Sequence, residues 1–396
     1  MASPLTTLSR RTFQAALLAA PFAARPADGN PVLLGIDAEF GLQNSTSAQA
    51  IELGVRVAVD QINARGGVLD GRPLAIVTRD HRSIPARGIQ NIAEFAEMPG
   101  LVALFGGRFS PVVIEQLPAL KAAKVPFLAV WSAADVIVDN GSTPNYAFRL
   151  SLRDSLAMPF MMETARKRGI ERVGLLLTNT AWGRSNLAAV RTYEATQKPP
   201  RVVGTAWYNW QEQTLVDKYK RLVGLGAQAI LIVANDDEAA TLIREVAQLK
   251  PDERVPLLSH WGVTGGKFFR AAGPGLMDVD FSVVQTFSFF NAPKPELAVF
   301  LATAKAYGIS RIEDIESPVG TAHAYDMTHI LSKAIDLAKS TDRPAVRDAL
   351  EQVRLHQGIV RRYAPPFTPT RHEALGPAQL LMARYRGDGV LVPTDD

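Results

Sequence analysis

From residue 31 onward the chain alternates two kinds of apolar pattern. Short continuous runs of Val, Ile and Leu read as buried strands, and longer segments with apolar residues three and four apart read as helices. PVLLGIDAEF is the first strand. In SAQAIELGVRVAVDQINARGG, Ile51, Val55, Ala58, Val59 and Ile62 share one helical face, and Gly66-Gly67 ends it. PLAIVTRD and ARGIQNIAEFAE repeat the pair, and LVALFGG and VPFLAVWS are further strands on either side of PVVIEQLPALKAA.

The rhythm resumes after Arg149. SLAMPFMMETARKRG, GRSNLAAVRTYEA, LVDKYKRLVGLG and DEAATLIREVAQL read as helices, interleaved with the strands RVGLLLTN, RVVGTAWY, QAILIVAN and VPLLSHWG. Unbroken apolar strands alternating with helices predict parallel sheets covered on both faces. Two such blocks predict an α/β protein of two doubly wound lobes. A third stretch is less regular: VDFSVVQTFSFF is extended, PELAVFLATAKAYG, TAHAYDMTHILSKAIDLAKS and AVRDALEQVR are helical, and RRYAPPFTPTRHEALGP is proline-rich. AQLLMARY reads as a last strand before the turn RGDG.

Composition changes the picture chiefly at the N-terminus. Arg10 and Arg11 precede an apolar run, Phe13 to Ala20 with Phe22 to Ala24, that falls short of the roughly 20 residues a membrane span needs. Residues 1–28 are thus expected to be a cleaved export signal, cut near Ala23 to Asp28. Ser9-Arg10-Arg11-Thr12-Phe13 has the twin-arginine order, with an ordinary Sec signal as the alternative. The formal charge of +4 includes Arg10, Arg11 and Arg25, so the processed chain carries +1, or +2 if Asp28 is also removed. No basic stripe points to nucleic acid. Cysteine is absent, which excludes disulfides, thiolate metal sites and a lipid-modified cysteine after the signal. A periplasmic protein unattached to the membrane is expected.

Catalytic signatures fail on context. GLGAQA (224–229) fits a dinucleotide fingerprint in letters, yet it closes a helix and leads into a strand, the reverse of what the motif needs. TGGKFF is no phosphate loop, and no GxSxG elbow is present. The six histidines, at 81, 260, 323, 329, 356 and 372, show no i, i+4 zinc pair. No enzyme activity, metal or cofactor is expected.

The order of segments resembles the type I periplasmic solute-binding proteins of ABC transporters, in the family related to the leucine/isoleucine/valine-binding protein. The resemblance rests on AVDQINARGGVLDGRPLAIVTRD, VALFGGRFSPVVIEQLPALKAAKVPFLAV, YAFRLSLRDS, RVGLLLTNTAWGRS and AYDMTHILSKAI. It implies two lobes joined by three crossover strands, near Asn145 to Leu150, near Phe281 to Thr286, and within Arg354 to Arg371. Lobe 1 is then 29–147 plus 284–360, and lobe 2 is 148–283 plus 361–396. It also implies hinge closure on a small molecule, presented by a monomer to an ABC permease in the inner membrane. A sensor input of the same fold and an exported enzyme are the competing readings.

Ligands of open parallel sheets bind beyond the carboxyl ends of the strands. That rule selects the loop with Arg108, Phe109 and Ser110, where Ser110 reads as a helix N-cap and its free amides suit an anion. It also selects Trp131, Ser132 and Ala133, then Trp182, then Asn235 and Asp236, and finally His260 and Trp261. The resemblance places Ser110, Ser132 and Ala133 on a ligand carboxylate and Trp182 on a stacking aromatic. It implies an acidic partner for an α-ammonium where this chain has Trp261, unless Asp236 serves instead. Ser47 is the contact chosen from the first loop, and His81 and Arg82 reach toward the rim. Arg149 and Asp154 are expected to build the hinge. The ligand expected is a small apolar or aromatic carboxylate, with a branched-chain amino acid or amide as the alternative.

Overall fold

The computed structural model describes residues 29–394, so the expected export signal lies outside the described residues. Strands β1 (Val32–Ala38), β2 (Leu74–Asp80), β3 (Leu101–Gly106), β4 (Phe127–Ala129) and β5 (Ala147–Arg149) form an all-parallel sheet in the order β2-β1-β3-β4-β5. A second parallel body contains β6 (Arg172–Thr178), β7 (Arg201–Tyr208), β8 (Ala229–Val233), β9 (Leu257–Ser259) and β10 (Phe281–Gln285). After a two-stranded hairpin, β11 (His356–Gln357) and β12 (Arg362–Tyr363), the chain returns to this body. There β13 (Leu381–Tyr385) and β14 (Leu391–Pro393) add antiparallel, giving the order β14-β13-β10-β9-β8-β6-β7. The turn after β13 therefore leads into a further strand rather than ending the sheet.

Helices α1 (Ser47–Ala64), α2 (Pro85–Ala96) and α3 (Ser110–Ala122) connect the first sheet. Helices α4 (Asp154–Lys167), α5 (Ala181–Glu194), α6 (Val216–Gly224), α7 (Asp236–Ala247) and α8 (Phe268–Ala272) belong to the second. Then α9 (Lys294–Ala304), α10 (Pro318–Ala338) and α11 (Arg343–Leu350) come back to the first lobe, with α10 packed along α1 and α11 against β3. The face of α1 formed by Ile51, Val55, Ala58, Val59 and Ile62 is buried as the pattern predicts. At the crossing, Gly54 admits the backbone of Thr321, which any Cβ would strike. Strand β8 is buried along its whole length, as a strand covered on both faces must be.

Two crossings between the lobes follow β5 and β10. The third departs from the expected 354–371: the chain pairs with Arg149 at His372–Ala374, through Arg149 N–H to His372 O (2.8 Å) and Ala374 N–H to Arg149 O (2.9 Å). The cause is Asp326 on α10. Its buried carboxylate accepts from Ile359 N, Val360 N and the Tyr363 hydroxyl, so the β11–β12 hairpin stays fastened to the first lobe. At the crossing the wholly buried Arg149 donates to Glu373 from Nη2 (2.6 Å) and Nε (2.9 Å), and to Ala134 O from Nη1 (2.9 Å). These two crossing strands are thereby clasped side by side.

Candidate functional site

The carboxyl ends of the two parallel sheets face each other across the gap between the lobes. Beyond β3, Gly107 has no room for a side chain, because a Cβ would strike the Glu39 carboxylate and the His81 ring. Ser110 begins α3 without capping it, which corrects the N-cap expectation. The Phe109 carbonyl takes the first helical N–H groups, from Val112 and Val113, and the Ser110 hydroxyl reaches the loop after β4. There Oγ accepts from the N–H groups of Ala133 and Ala134, each at 3.2 Å. Both amides are spent on the Ser110 oxygen, which leaves the hydroxyl proton as the donor this loop can offer an anion.

Indoles supply the walls. Trp131 from the first lobe and Trp261 from the second meet with ring centroids 5.9 Å apart, and each is only 1% exposed. They are buried between the lobes, against each other. The Nε1 of Trp131 has no partner among the described residues. Trp182 donates from Nε1 to Asp154 Oδ1 at 3.2 Å and stands edge-on to His260, 5.0 Å between centroids. Trp210 stands edge-on to Phe109 at 5.3 Å, while the Arg108 guanidinium covers the other ring contact of Phe109 at 4.7 Å. Together with Ser110, Pro111, Ala133, Asn235 and Gly262, these residues close around a free volume of about 10 Å³, room for little more than one water. That is far below the roughly 300–1,000 Å³ of ligand cavities, so the lobes must part to admit a ligand.

A family model described as periplasmic binding protein matches residues 39–388. The chain belongs to that family. Its members are the solute-binding proteins of ABC transporters, and the likeness to leucine/isoleucine/valine-binding proteins read from the sequence holds. A periplasmic binding protein type 1 from Bordetella pertussis Tohama I is 23% identical with a TM-score of 0.81, covering 92% of this chain and 100% of that one. The leucine binding protein LivK from Thermotoga maritima is 16% identical, TM-score 0.77, covering 92% and 97%. A solute binding protein of an ABC transporter from Rhodopseudomonas palustris HaA2, solved with p-hydroxybenzoic acid, is 18% identical, TM-score 0.76, covering 92% and 95%. No curated protein sequence matches. The two-lobed parallel architecture is that of these structures.

Of the residues selected from this binding protein's sequence, Arg108, Phe109, Ser110, Trp131, Ala133, Trp182, Asn235 and Trp261 line the one cavity. Four others lie just behind it. Ser47 opens α1 and donates its hydroxyl to Glu39. Ser132 is buried with Oγ unpartnered among the described residues. His260 is fully buried with Nε2 3.1 Å from Asp154 Oδ1, too poorly aligned to count as a hydrogen bond. Asp154 thus backs two aromatic residues of the site besides opening α4. Asp236 starts α7, where an acid suits the helix dipole, and also pairs with Arg108 Nη1 at 2.7 Å across the gap. His81 is wholly buried against Glu39, its basicity lowered by burial despite the pull of Glu39 and Asp80. Arg82 is exposed on Asp80.

Two contributors were not read from the sequence. Trp210 lies two residues past the end of β7, and Glu39 directly follows β1, so the carboxyl-end rule selects both. Glu39 gathers Ser45, Ser47, His81 and Arg108, the last with Nε 3.8 Å away.

The lobes also touch directly along a seam. Thr46 N–H donates to Gly265 O (2.8 Å), Lys267 N–H donates to Asn44 O (3.0 Å), and Ser45 and Gly266 form an antiparallel bridge. Ser317 at the start of α10 donates to Thr264 O at 2.7 Å. The Arg108–Asp236 pair stands beside this seam, since Gly266 lies flush against the Asp236 carboxylate. Among the described residues no helix is long and apolar enough to cross a membrane, and no group of His, Asp and Glu is placed to hold a metal.

Proposed function

We propose that the protein is the periplasmic receptor of an ABC importer, and that it binds a small carboxylate with a flat or branched apolar body and no α-ammonium group. The wall composition carries this reading. The cavity offers the Ser110 hydroxyl, one cation at Arg108, four indoles and a phenyl ring, and no acidic residue. A ligand ammonium enclosed there would lose its water without gaining a counter-charge, which is costly. A carboxylate finds donors, and its apolar remainder finds rings. Asp236, an acid behind the wall, already serves Arg108. That one structural relative holds p-hydroxybenzoic acid while another is named for leucine makes the choice between the two chemistries the question to test. The protein is expected to work as a monomer, exported with its leader removed and delivering the ligand to a permease.

The test is a thermal-shift and calorimetric screen of aromatic acids, branched aliphatic acids, their amides, and amino acids. A ligand at about 100 times its Kd adds about 2.7 kcal/mol to native stability. Aromatic or branched acids should raise Tm, and Ser110→Ala should weaken the acids more than their amides. Tightest binding by an α-amino acid, or equal losses for acids and amides in Ser110→Ala, would overturn the reading.

A further inference from the structure

The proposed ligand class leaves one buried pair unexplained. Asp236 follows Asn235, which lines the cavity, and its side chain is almost wholly buried. An acid in that place is what a ligand ammonium would need. Arg108 reaches it from the opposite lobe, Nη1 to Oδ1 at 2.7 Å, and donates more weakly to Gly262 O at 3.4 Å. The guanidinium lies on the cavity wall and rests on Phe109. Its Nε is buried without a hydrogen-bond partner among the described residues, 3.8 Å from Glu39 Oε1.

We infer that Arg108 is the residue that determines charge specificity: by consuming the Asp236 carboxylate it closes the cavity to ammonium-bearing ligands. This rests on the ligand class proposed above. A buried carboxylate adjoining a binding cavity is a strong ammonium site when free and a poor one when bound to a guanidinium, whose planar fork holds it by charge-assisted hydrogen bonds. The same pair bridges the lobes, so the charge state of the cavity is set as the lobes meet. Removing the arginine charge opens an ammonium site. Removing the aspartate charge instead releases a cation toward the cavity, to the benefit of a second ligand carboxylate.

The experiment compares matched probes by calorimetry: phenylalanine against 3-phenylpropanoate, leucine against 4-methylpentanoate, and terephthalate against benzoate. Arg108→Gln should shift the amino acid to deaminated acid affinity ratio at least tenfold toward the amino acid, and Arg108→Gln/Asp236→Asn should reverse that shift. Asp236→Asn, which removes the buried carboxylate and leaves Glu39 facing Arg108, should favour terephthalate over benzoate at least tenfold relative to the unaltered protein. It also decides the matter if Arg108→Gln fails to fold. Unchanged ratios in a folded Arg108→Gln, or in Asp236→Asn where that is the variant that folds, overturn the specificity role alone. An unaltered protein that prefers phenylalanine or leucine to its deaminated analogue overturns the ligand class, and with it this inference. Binding of none of the six probes to any of the four proteins does the same.

Discussion

The seam between the lobes offers a sharp test through Gly266→Ala. Gly266 has φ −153° and ψ −171°, extended backbone open to any residue, so alanine meets no conformational objection. The objection is steric: its Cβ would fall on the Asp236 carboxylate, far inside contact distance of both Oδ2 and Cγ. Asp236 is short and anchored at the first turn of α7, so it yields only by rotating away from Arg108 or by the lobes parting. Either response forfeits a charged hydrogen bond of about 1.5–3 kcal/mol, and parting also strains the Thr46–Gly265 and Lys267–Asn44 bonds. The ratio of closed to open protein should fall about tenfold to a hundredfold. Where the closed form is the minor one without ligand, the apparent Kd rises by that full factor; where it is the major one, loss of the closed form shows first in small-angle scattering. Gly224→Ala, whose Cβ would enter open space, is the control. A Gly266→Ala protein with unaltered scattering and unaltered affinity would refute the claim that this contact holds the lobes together.

Three further perturbations probe other parts of the molecule. Glu373→Gln strips the fully buried Arg149 of its counter-charge and should cost about 3–5 kcal/mol in urea unfolding; a loss below about 1 kcal/mol would mean Ala134 O and the neighbouring acids suffice. Trp182→Ala removes one wall and the donor to Asp154, and should weaken ligand binding about twofold to twelvefold beyond the area lost, from a ring contribution of about 0.5–1.5 kcal/mol; calorimetry showing unchanged affinity would remove Trp182 from the site. Burial raises the Asp37 carboxyl to about 8, against the hydrogen bonds from Asn91 and Gln116 and with Glu39 adding to the rise. The folded state therefore keeps a proton that the unfolded chain loses near pH 4, and this contribution is lost as pH rises from about 4 to about 8, by up to about 1.4 kcal/mol per pH unit. In Asp37→Asn that downward slope should flatten in unfolding free energies measured across the interval, and an unchanged slope would assign it to other groups.

Much of the fold was legible because it is written in periodicity. The continuous apolar strands and the 3.6-residue stripe of α1 state their own burial, and alternation of the two gives a parallel sheet with few alternatives. Strand ends give the loops, and the carboxyl-end rule turns loops into a list of cavity residues. The rule reached Trp131, Trp182 and Trp261, and would have reached Trp210 had β7 been followed past Tyr208. The role of Ser110 was not legible. Ser-Pro after a strand reads as a cap, and only the three-dimensional approach of the β4 loop reassigns the hydroxyl to Ala133 and Ala134. The third crossing was misplaced for a similar reason, since the attachment of residues 359–363 to Asp326 is a contact between segments over thirty positions apart.

Pairings between distant segments are also where the binding behaviour is set. Arg108 and Asp236 each have an adequate local explanation, one as a polar loop residue and one as an acid at a helix start. Joined at 2.7 Å across the gap, they cancel the charge that would admit an ammonium and fasten the lobes at the same point. Arg149 and Glu373 do the complementary work at the crossings, where a buried pair holds two strands in register while their ends lead into different lobes. A buried pair seldom adds stability over an apolar substitute, but breaking one is costly. At the crossing that asymmetry keeps the strands together in every state of the molecule. At the gap it operates only when the lobes meet, because opening returns both charges to water. Similar ion pairs thus have opposite consequences according to whether hinge motion exposes them: one is permanent, and the other enters the closing equilibrium and the choice of ligand.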